Sequence, residues 1–221
     1  MLTDTDSLQT VLDVCGVFVF GLSGALVAVR RGLDLFGVLV LAWVAGLGGG
    51  IIRDLFLGVT PPVAVSDWRL LTAAVLAGGV VFVAHGLWEE SSGSGAGRRH
   101  LTRAVRLLDA AGLALFAVSG ALVALSRDAG PLAATLIGGI TAVGGGVLRD
   151  VLARQVPEVL QRELYALPAL AGAGLVVLLH HLDALGPVTA WGAVVLVFVI
   201  RVLAVALDLN APRALRSGPS D

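Results

Sequence analysis

Long apolar stretches separated by short polar segments dominate this chain. Seven stretches contain no charged residue, and they span residues 14–29, 35–52, 70–88, 110–126, 129–148, 164–182 and 184–200. Each approaches the roughly 20 apolar residues with which a helix crosses the hydrocarbon core of a bilayer. The alternation of apolar and polar residues that is typical of membrane-spanning strands does not occur. The pattern therefore predicts an all-α integral membrane protein with seven transmembrane helices.

Composition supports this interpretation and excludes several classes of function. Hydrophobic residues make up 57% of the chain, charged residues 14%, and the mean hydropathy is +0.93. The net charge of -1 argues against a nucleic-acid partner, and the single cysteine, Cys15, excludes an intramolecular disulfide. The sequence contains no hydrolase triad order, phosphate-binding loop or metal-binding motif. We therefore expect no enzyme activity, no cofactor and no metal.

The distribution of arginines predicts the orientation in the membrane. All 15 basic residues are arginine, a composition typical of high-GC bacterial genomes, and we expect the protein in the bacterial inner membrane. If the seven helices alternate in direction, ten arginines fall on one side of the membrane and two on the other. Because positive residues favour the cytoplasmic side, we expect the N-terminus outside and the C-terminus in the cytoplasm. The N-terminal segment lacks the basic residues of a cleaved signal peptide, so we expect the first helix to be retained.

The chain matches itself without a gap when residue n is aligned with residue n+96. Between residues 12–58 and 108–154, 16 of 47 positions are identical, and residues 23–28 recur unchanged as 119–124. Each copy contains three helices, so the second copy must cross the membrane in the opposite direction, as in inverted-repeat transport proteins. We expect a first repeat at 8–88, a flexible linker at 91–100, a second repeat at 101–183, a seventh helix at 184–209 and a cytoplasmic tail at 210–221.

A glycine triplet followed by an Arg-Asp pair occurs in the second helix of each repeat. The residues are Gly48, Gly49, Gly50, Arg53 and Asp54 in the first copy, and Gly144, Gly145, Gly146, Arg149 and Asp150 in the second. Glycine lowers helix stability, so these triplets predict helices that are broken or kinked beside a polar cavity. The alternative is that the glycines allow two helices to pack closely.

The motif charges need partners, because a charge at membrane depth costs several kcal/mol. Neighbouring helical residues point about 100° apart, so we expect the partners of Arg53 and Arg149 on other helices, with Asp13 and Asp109 as the candidates. The inverted topology places Arg53 toward the outer face and Arg149 toward the cytoplasmic face. The alternative is that each arginine extends to the nearest lipid headgroups.

Small and polar residues elsewhere in the helices suggest further contacts. Ser23 and Ser119 each precede a glycine, which favours a seam for close helix packing, and their hydroxyls could also line a pore. Arg201 and Asp208 are seven residues apart in the last helix, and we expect them to form a charge pair at the cytoplasmic interface.

These motifs resemble the TRIC family of trimeric intracellular cation channels, whose prokaryotic branch is also described as a family of glycine transporters. The resemblance covers residues 8–209. It implies a homotrimer with one pore in each protomer, which conducts potassium and, less selectively, sodium. It further implies that the second and fifth helices are kinked at the two glycine triplets, and that Arg53, Asp54, Arg149 and Asp150 hold the kinked segments and border the pore.

The local charge of the motif leaves rival functions open. A broken helix exposes free N–H groups and the positive end of its dipole, which favour an anion or a carboxylate. The motif arginines act in the same direction. A secondary transporter of glycine or another small amino acid is therefore the main alternative, and a lipid-binding scaffold that conducts nothing is the second.

Overall fold

A computed structural model describes residues 2–89, 96–161 and 165–207, and every element in these ranges is helical. The helices are α1 (Leu2–Arg30), α2 (Leu35–Phe56), α3 (Val63–Ser66), α4 (Trp68–Glu89), α5 (Ala96–Ser126), α6 (Pro131–Leu152), α7 (Glu158–Gln161), α8 (Ala166–His181) and α9 (Pro187–Ala206). The seven longer helices coincide with the seven predicted apolar stretches. The short helices α3 and α7 lie between the second and third helices of the two repeats.

Six of the described helices are long and apolar enough to cross a membrane, namely α1, α2, α4, α5, α6 and α9. The remaining apolar helix, α8, contains 16 residues. At about 1.5 Å per residue it is shorter than the roughly 30 Å of a bilayer core. The all-helical membrane fold is thus confirmed, whereas a seventh complete crossing stays a prediction.

Helix boundaries follow from local sequence signals. The Asp34 side chain accepts a hydrogen bond from the backbone N–H of Gly37 at 2.8 Å and so caps α2. Helices α6 and α9 each begin with a proline after a glycine, where the missing N–H of proline is harmless. Helix α5 begins at residue 96, so residues 96–100 of the expected linker belong to a helix. Linker residues 91–95 and the tail at 210–221 lie outside the described part of the chain.

The two repeats pack against each other as antiparallel copies. The Phe20 ring of α1 stacks on the Phe116 ring of α5 with 5.5 Å between their centroids, and these residues occupy equivalent repeat positions. A Cβ on Gly16 would lie 2.6 Å from the Phe116 ring, and one on Gly112 would collide with the Phe20 ring. Since Gly112 is the repeat equivalent of Gly16, the contact is reciprocal. This reciprocity indicates a pseudo-two-fold axis between α1 and α5.

Helices α2 and α6 cross at the glycine triplets. A Cβ on Gly49 would overlap the carbonyl oxygen of Thr141, and one on Gly145 would overlap that of Ala45. Both helices remain continuous through their triplets. The expected break is therefore wrong, and the packing alternative is correct, because each triplet allows one backbone to touch the other. A bend at the triplets stays a prediction.

The backbone conformation after α2 is repeated after α6. Gly58 after α2 has a φ of 69°, and its equivalent Arg154 after α6 has a φ of 53°, so both adopt the left-handed conformation. Beyond them, the N–H of Val59 donates to the Asp54 carbonyl and that of Gln155 to the Asp150 carbonyl, each at 2.8 Å. The chain therefore turns in the same way toward α3 and α7.

Candidate functional site: two buried charge clusters

The first charge cluster consists of Asp13, Arg53, Asp54 and Ser119, all buried. The Arg53 guanidinium lies between two carboxylates. Its Nη1 is 3.3 Å from Asp13 Oδ1 on α1, and its Nε donates to Asp54 Oδ1 at 2.9 Å. The Ser119 hydroxyl of α5 donates to Asp13 Oδ1. The arginine thus extends to protein carboxylates rather than to lipid headgroups.

The second charge cluster repeats this arrangement with Asp109, Arg149, Asp150 and Ser23, which are likewise buried. Arg149 Nη1 donates to Asp109 Oδ1 on α5 at 2.8 Å and to the Ser23 hydroxyl on α1 at 2.6 Å. Arg149 Nε donates to Asp150 Oδ1 at 2.9 Å. Helices α1, α5 and α6 therefore meet at this guanidinium.

Each cluster takes its serine from the other repeat. Ser119 belongs to the second repeat and contacts Asp13 of the first, whereas Ser23 belongs to the first repeat and contacts Arg149 of the second. The seam prediction also holds at the neighbouring glycine, since a Cβ on Gly24 would overlap the carbonyl oxygen of Leu41. The Ser-Gly pairs thus combine close helix packing with hydrogen bonding to the charge clusters.

The motif aspartates also hold the short helices. Asp54 Oδ2 accepts a hydrogen bond from the N–H of Val63, the first residue of α3, at 2.8 Å. Asp150 Oδ2 accepts one from the N–H of Glu158, the first residue of α7, at 3.1 Å. Such bonds satisfy N–H groups that a helix start leaves unpaired. Each Arg-Asp pair therefore joins its long helix to the segment that follows it.

The second cluster has an additional layer around Tyr165. This buried side chain donates a hydrogen bond from its hydroxyl to the Asp109 carboxylate. On the other side, the Arg201 guanidinium of α9 lies 4.4 Å from the centroid of the Tyr165 ring. A cation over an aromatic face at this distance is attracted by the ring. The last helix, which lies outside the repeat, thereby contacts the second cluster.

Glu158 completes this layer. Its Oε2 lies 3.5 Å from Arg201 Nη2 on α9, and its Oε1 lies 3.9 Å from Arg106 Nε on α5. Burial and the nearby Asp109 carboxylate raise the pKa of Glu158, although Arg201, Arg149 and Arg106 act in the opposite direction. Glu158 therefore links two further arginines to the second cluster.

The sequence placed the motif charges correctly but missed several contacts. Asp13 and Asp109 are the partners of Arg53 and Arg149, as expected. Each arginine also bonds the aspartate that follows it, which the 100° argument did not predict, because a long arginine side chain can bend back along its own helix. Arg201 is buried and lies over the Tyr165 ring, whereas Asp208 lies outside the described residues, so the expected charge pair between them stays a prediction.

These clusters can hold charge at membrane depth and hydrogen-bond a polar solute or ion. Within the described ranges, no group of three or more His, Cys, Asp or Glu side chains is arranged to hold a metal ion. The formal charge of the first cluster is negative, because one guanidinium faces two carboxylates.

Comparison with known proteins gives consistent matches. A family model described as "Glycine transporter" matches residues 10–86 and 106–181, in keeping with the two repeats. A UPF0126 membrane protein from Deinococcus radiodurans is 46% identical over 76% of this chain and 74% of its own length. A UPF0126 inner membrane protein from Escherichia coli K12 is 41% identical over 73% of each chain. The crystal structure of the TRIC trimeric intracellular cation channel orthologue from Rhodobacter sphaeroides superposes with a TM-score of 0.81 at 36% identity, covering 92% of this chain and all of that one.

Proposed function

Because this chain belongs to the UPF0126 family of membrane proteins and has the fold of the prokaryotic TRIC channels, we propose that it is a channel for monovalent cations, chiefly potassium, in the bacterial inner membrane. In this proposal it acts in transport rather than as an enzyme. Each protomer of a homotrimer contains its own pathway, and sodium passes less selectively. Asp13, Arg53, Asp54 and Ser119 border one end of the pathway, and Asp109, Arg149, Asp150 and Ser23 border the other.

The charge balance of the motif is the observation that supports a cation most directly. Arg53 lies between Asp13 and Asp54, and Arg149 lies between Asp109 and Asp150, so each guanidinium faces two carboxylates. The net negative charge of such a triad attracts cations. The sequence had favoured an anion because broken helices would expose free N–H groups. Since α2 and α6 are continuous, that argument for an anion no longer applies.

The main rival is a secondary transporter of glycine or another small amino acid. The description of the matching family model supports it, and a buried arginine could bind a carboxylate. In both clusters, aspartate carboxylates of the protein already bind the motif guanidinium groups, which makes the rival less suitable. Membrane lipids surround the protein in either case, and a non-conducting lipid scaffold would carry neither solute.

Paired flux measurements on one preparation distinguish the three functions. We expect purified protein in liposomes to release potassium down its gradient and to accumulate no labelled glycine. Asp13→Asn should reduce potassium flux, because it removes the net negative charge of the first cluster, whereas Asp34→Asn at the exposed cap of α2 should not. Glycine uptake without potassium flux would contradict the proposal in favour of the transporter. Absence of both fluxes would favour the scaffold.

Orientation and assembly belong to the same proposal. We place the N-terminus outside and the C-terminus in the cytoplasm, with repeats at 8–88 and 101–183 and a final helix at 184–209. Cys15→Ser gives a cysteine-free background, in which single cysteines at residues 3 and 219 can be labelled from each side of intact cells. Labelling of residue 219 from outside would contradict this orientation. Native mass spectrometry should give a trimer, and a monomer in mild detergent would contradict the assembly.

A further inference from the structure

Helices α1 and α5 join the two charge clusters, because each of these helices contributes one residue to each cluster. Helix α1 carries Asp13 and Ser23, and α5 carries Ser119 and Asp109. The two cluster residues of each helix are ten positions apart, which is about 15 Å along a helix axis. The residues between them include no charged or hydroxyl side chain on either helix. A cation that passes from one cluster to the other must therefore cross an apolar interval inside the protein.

The stacked rings of Phe20 and Phe116 lie in this interval. Phe20 follows Asp13 by seven residues, so the two side chains leave α1 within about 20° of each other. Phe116 stands in the same relation to Asp109 on α5. Both rings are buried, their centroids are 5.5 Å apart, and their planes differ by 16°. The stack therefore lies between the clusters, on the face of each helix that carries the cluster aspartate.

The α1–α5 contact is closed by side chains, whereas the α2–α6 contact is closed by backbone. At the α2–α6 crossing, Gly49 meets the carbonyl oxygen of Thr141. Between α1 and α5, the Phe116 ring fills the space opposite Gly16, where a Cβ would lie 2.6 Å from it, and the repeat equivalents make the same contact. Two backbones separate only if the helices move, but a ring moves by rotation about its side-chain bonds. The α1–α5 contact is therefore the one that can open while the helices stay in place.

We propose that the Phe20–Phe116 stack is the central barrier of the cation pathway: the stacked rings close the apolar interval, and displacement of either ring admits water and a cation. An apolar constriction closes a pore because it excludes water. The barrier rests on the proposed function, since it acts on the flow of cations. The residues that close the pathway are thus distinct from the charged residues that border its ends.

Single-channel recording in planar bilayers tests the barrier, because the open probability does not depend on how much protein has inserted. We expect Phe20→Ala and Phe116→Ala to raise the open probability for potassium severalfold, since each removes one ring of the constriction. The two variants should behave alike, because the residues occupy equivalent repeat positions. Phe18→Ala is the matched control: Phe18 is half-buried and points about 200° away from Phe20 on the same helix. It should keep the wild-type open probability.

Thiol labelling distinguishes a ring in the pathway from a ring that only supports the fold. In the Cys15→Ser background, Phe20→Cys places a thiol in the apolar interval, and a cationic methanethiosulfonate reagent is added to either chamber. We expect the potassium current to fall, because the reagent leaves a fixed positive charge where cations pass. Phe18→Cys in the same background should keep its current, since its side chain points away from the interval.

Each other outcome overturns a specific claim. An unchanged open probability in both alanine variants, an equal rise in Phe18→Ala, or an unchanged current after labelling of Phe20→Cys would overturn the barrier and leave the channel intact. No potassium current from the wild type or from either alanine variant would overturn the proposed function, and the barrier with it. If the alanine variants do not fold, Phe20→Leu keeps an apolar side chain but removes the stacked ring. Its open probability must still rise, and an unchanged value would overturn the proposal.

Discussion

Gly49 of α2 lies so close to Thr141 of α6 that a methyl group on Gly49 would overlap the Thr141 carbonyl oxygen. The repeat equivalents, Gly145 and Ala45, make the same contact. Because backbone atoms oppose the glycine, no side-chain rotation can relieve the overlap. The crossing of the two motif helices therefore depends on glycine at these two positions.

Gly49→Ala and Gly145→Ala should each separate α2 from α6 and lower the free energy of unfolding by more than about 3 kcal/mol, since overpacking against backbone exceeds the usual 1–3 kcal/mol range. Gly50→Ala is the matched control within the same triplet, because its Cβ would approach only the Arg53 guanidinium, at 3.9 Å. It should be neutral or stabilising, as alanine favours a helix by about 1 kcal/mol over glycine. Equal effects at positions 49 and 50 in chemical unfolding would show that the triplet loosens the helix rather than permits the crossing.

Removing a motif arginine should leave two buried carboxylates without their cationic partner. We expect Arg53→Ala and Arg149→Ala to destabilise the protein by about 3–5 kcal/mol, the range for breaking a buried ion pair by deleting one partner. Combining Arg53→Ala with Asp13→Asn should cost less than the sum of the two single changes, because the second removes a charge that the first left unpaired. Arg127→Ala, at an exposed arginine, is the control and should stay within about 0.5 kcal/mol of wild type. If Arg53→Ala matches that control, the cluster does not stabilise the fold.

The Tyr165 hydroxyl should contribute separately from its ring. Tyr165→Phe removes the donor to Asp109, whose Oδ2 already lacks a hydrogen-bond partner within the described residues. We expect a loss of about 1.5–3 kcal/mol, the range for one hydrogen bond to a charged group, because Asp109 keeps its bond from Arg149. Tyr165→Leu should be worse, because it also removes the ring beneath Arg201. Equal losses in the two variants would mean that the cation–ring contact adds nothing measurable.

The pH dependence of stability should have opposite signs at Glu158 and Asp67. The pKa of Glu158 is raised in the folded protein above its usual value of 4.5, so its stabilising contribution is full below that value and is lost as the pH rises through the raised pKa. As the pH rises through this pKa, the free energy of unfolding of the wild type should therefore fall relative to that of Glu158→Gln. The Arg69 hydrogen bond lowers the pKa of Asp67, so that contribution is present above 3.8 and lost as the pH falls. Thermal unfolding from about pH 3 to 8 measures both, and a shared sign would contradict the assigned environments.

The local pattern predicted the helices and the motif pairs, because apolar length and the 96-residue offset are visible in the sequence. Asp13 and Asp109 could be matched to Arg53 and Arg149 since charges in apolar helices require partners. The choice between a broken helix and a close crossing could not be made, because glycine permits both and only the position of α6 against α2 decides.

The repeat symmetry could not predict the layer of Tyr165, Arg201 and Glu158 around the second cluster. The sequence did single out Arg201, because it is a charge in an apolar helix. Its contacts Tyr165 and Glu158 lie far from it in the sequence, and only the folded positions of α7 and of the start of α8 bring them to it. Their roles depend on long-range contacts, and the repeat argument had no equivalent residues from which to predict them.

The reversal potential of purified protein in a planar bilayer under a potassium chloride gradient tests the central claim most directly, because it measures which ion the clusters admit. We predict a reversal potential close to the potassium equilibrium potential, and a shift away from it in Asp13→Asn. A reversal potential at the chloride equilibrium potential would contradict the account, since it would mean that the arginines and not the carboxylates set the charge of the pathway.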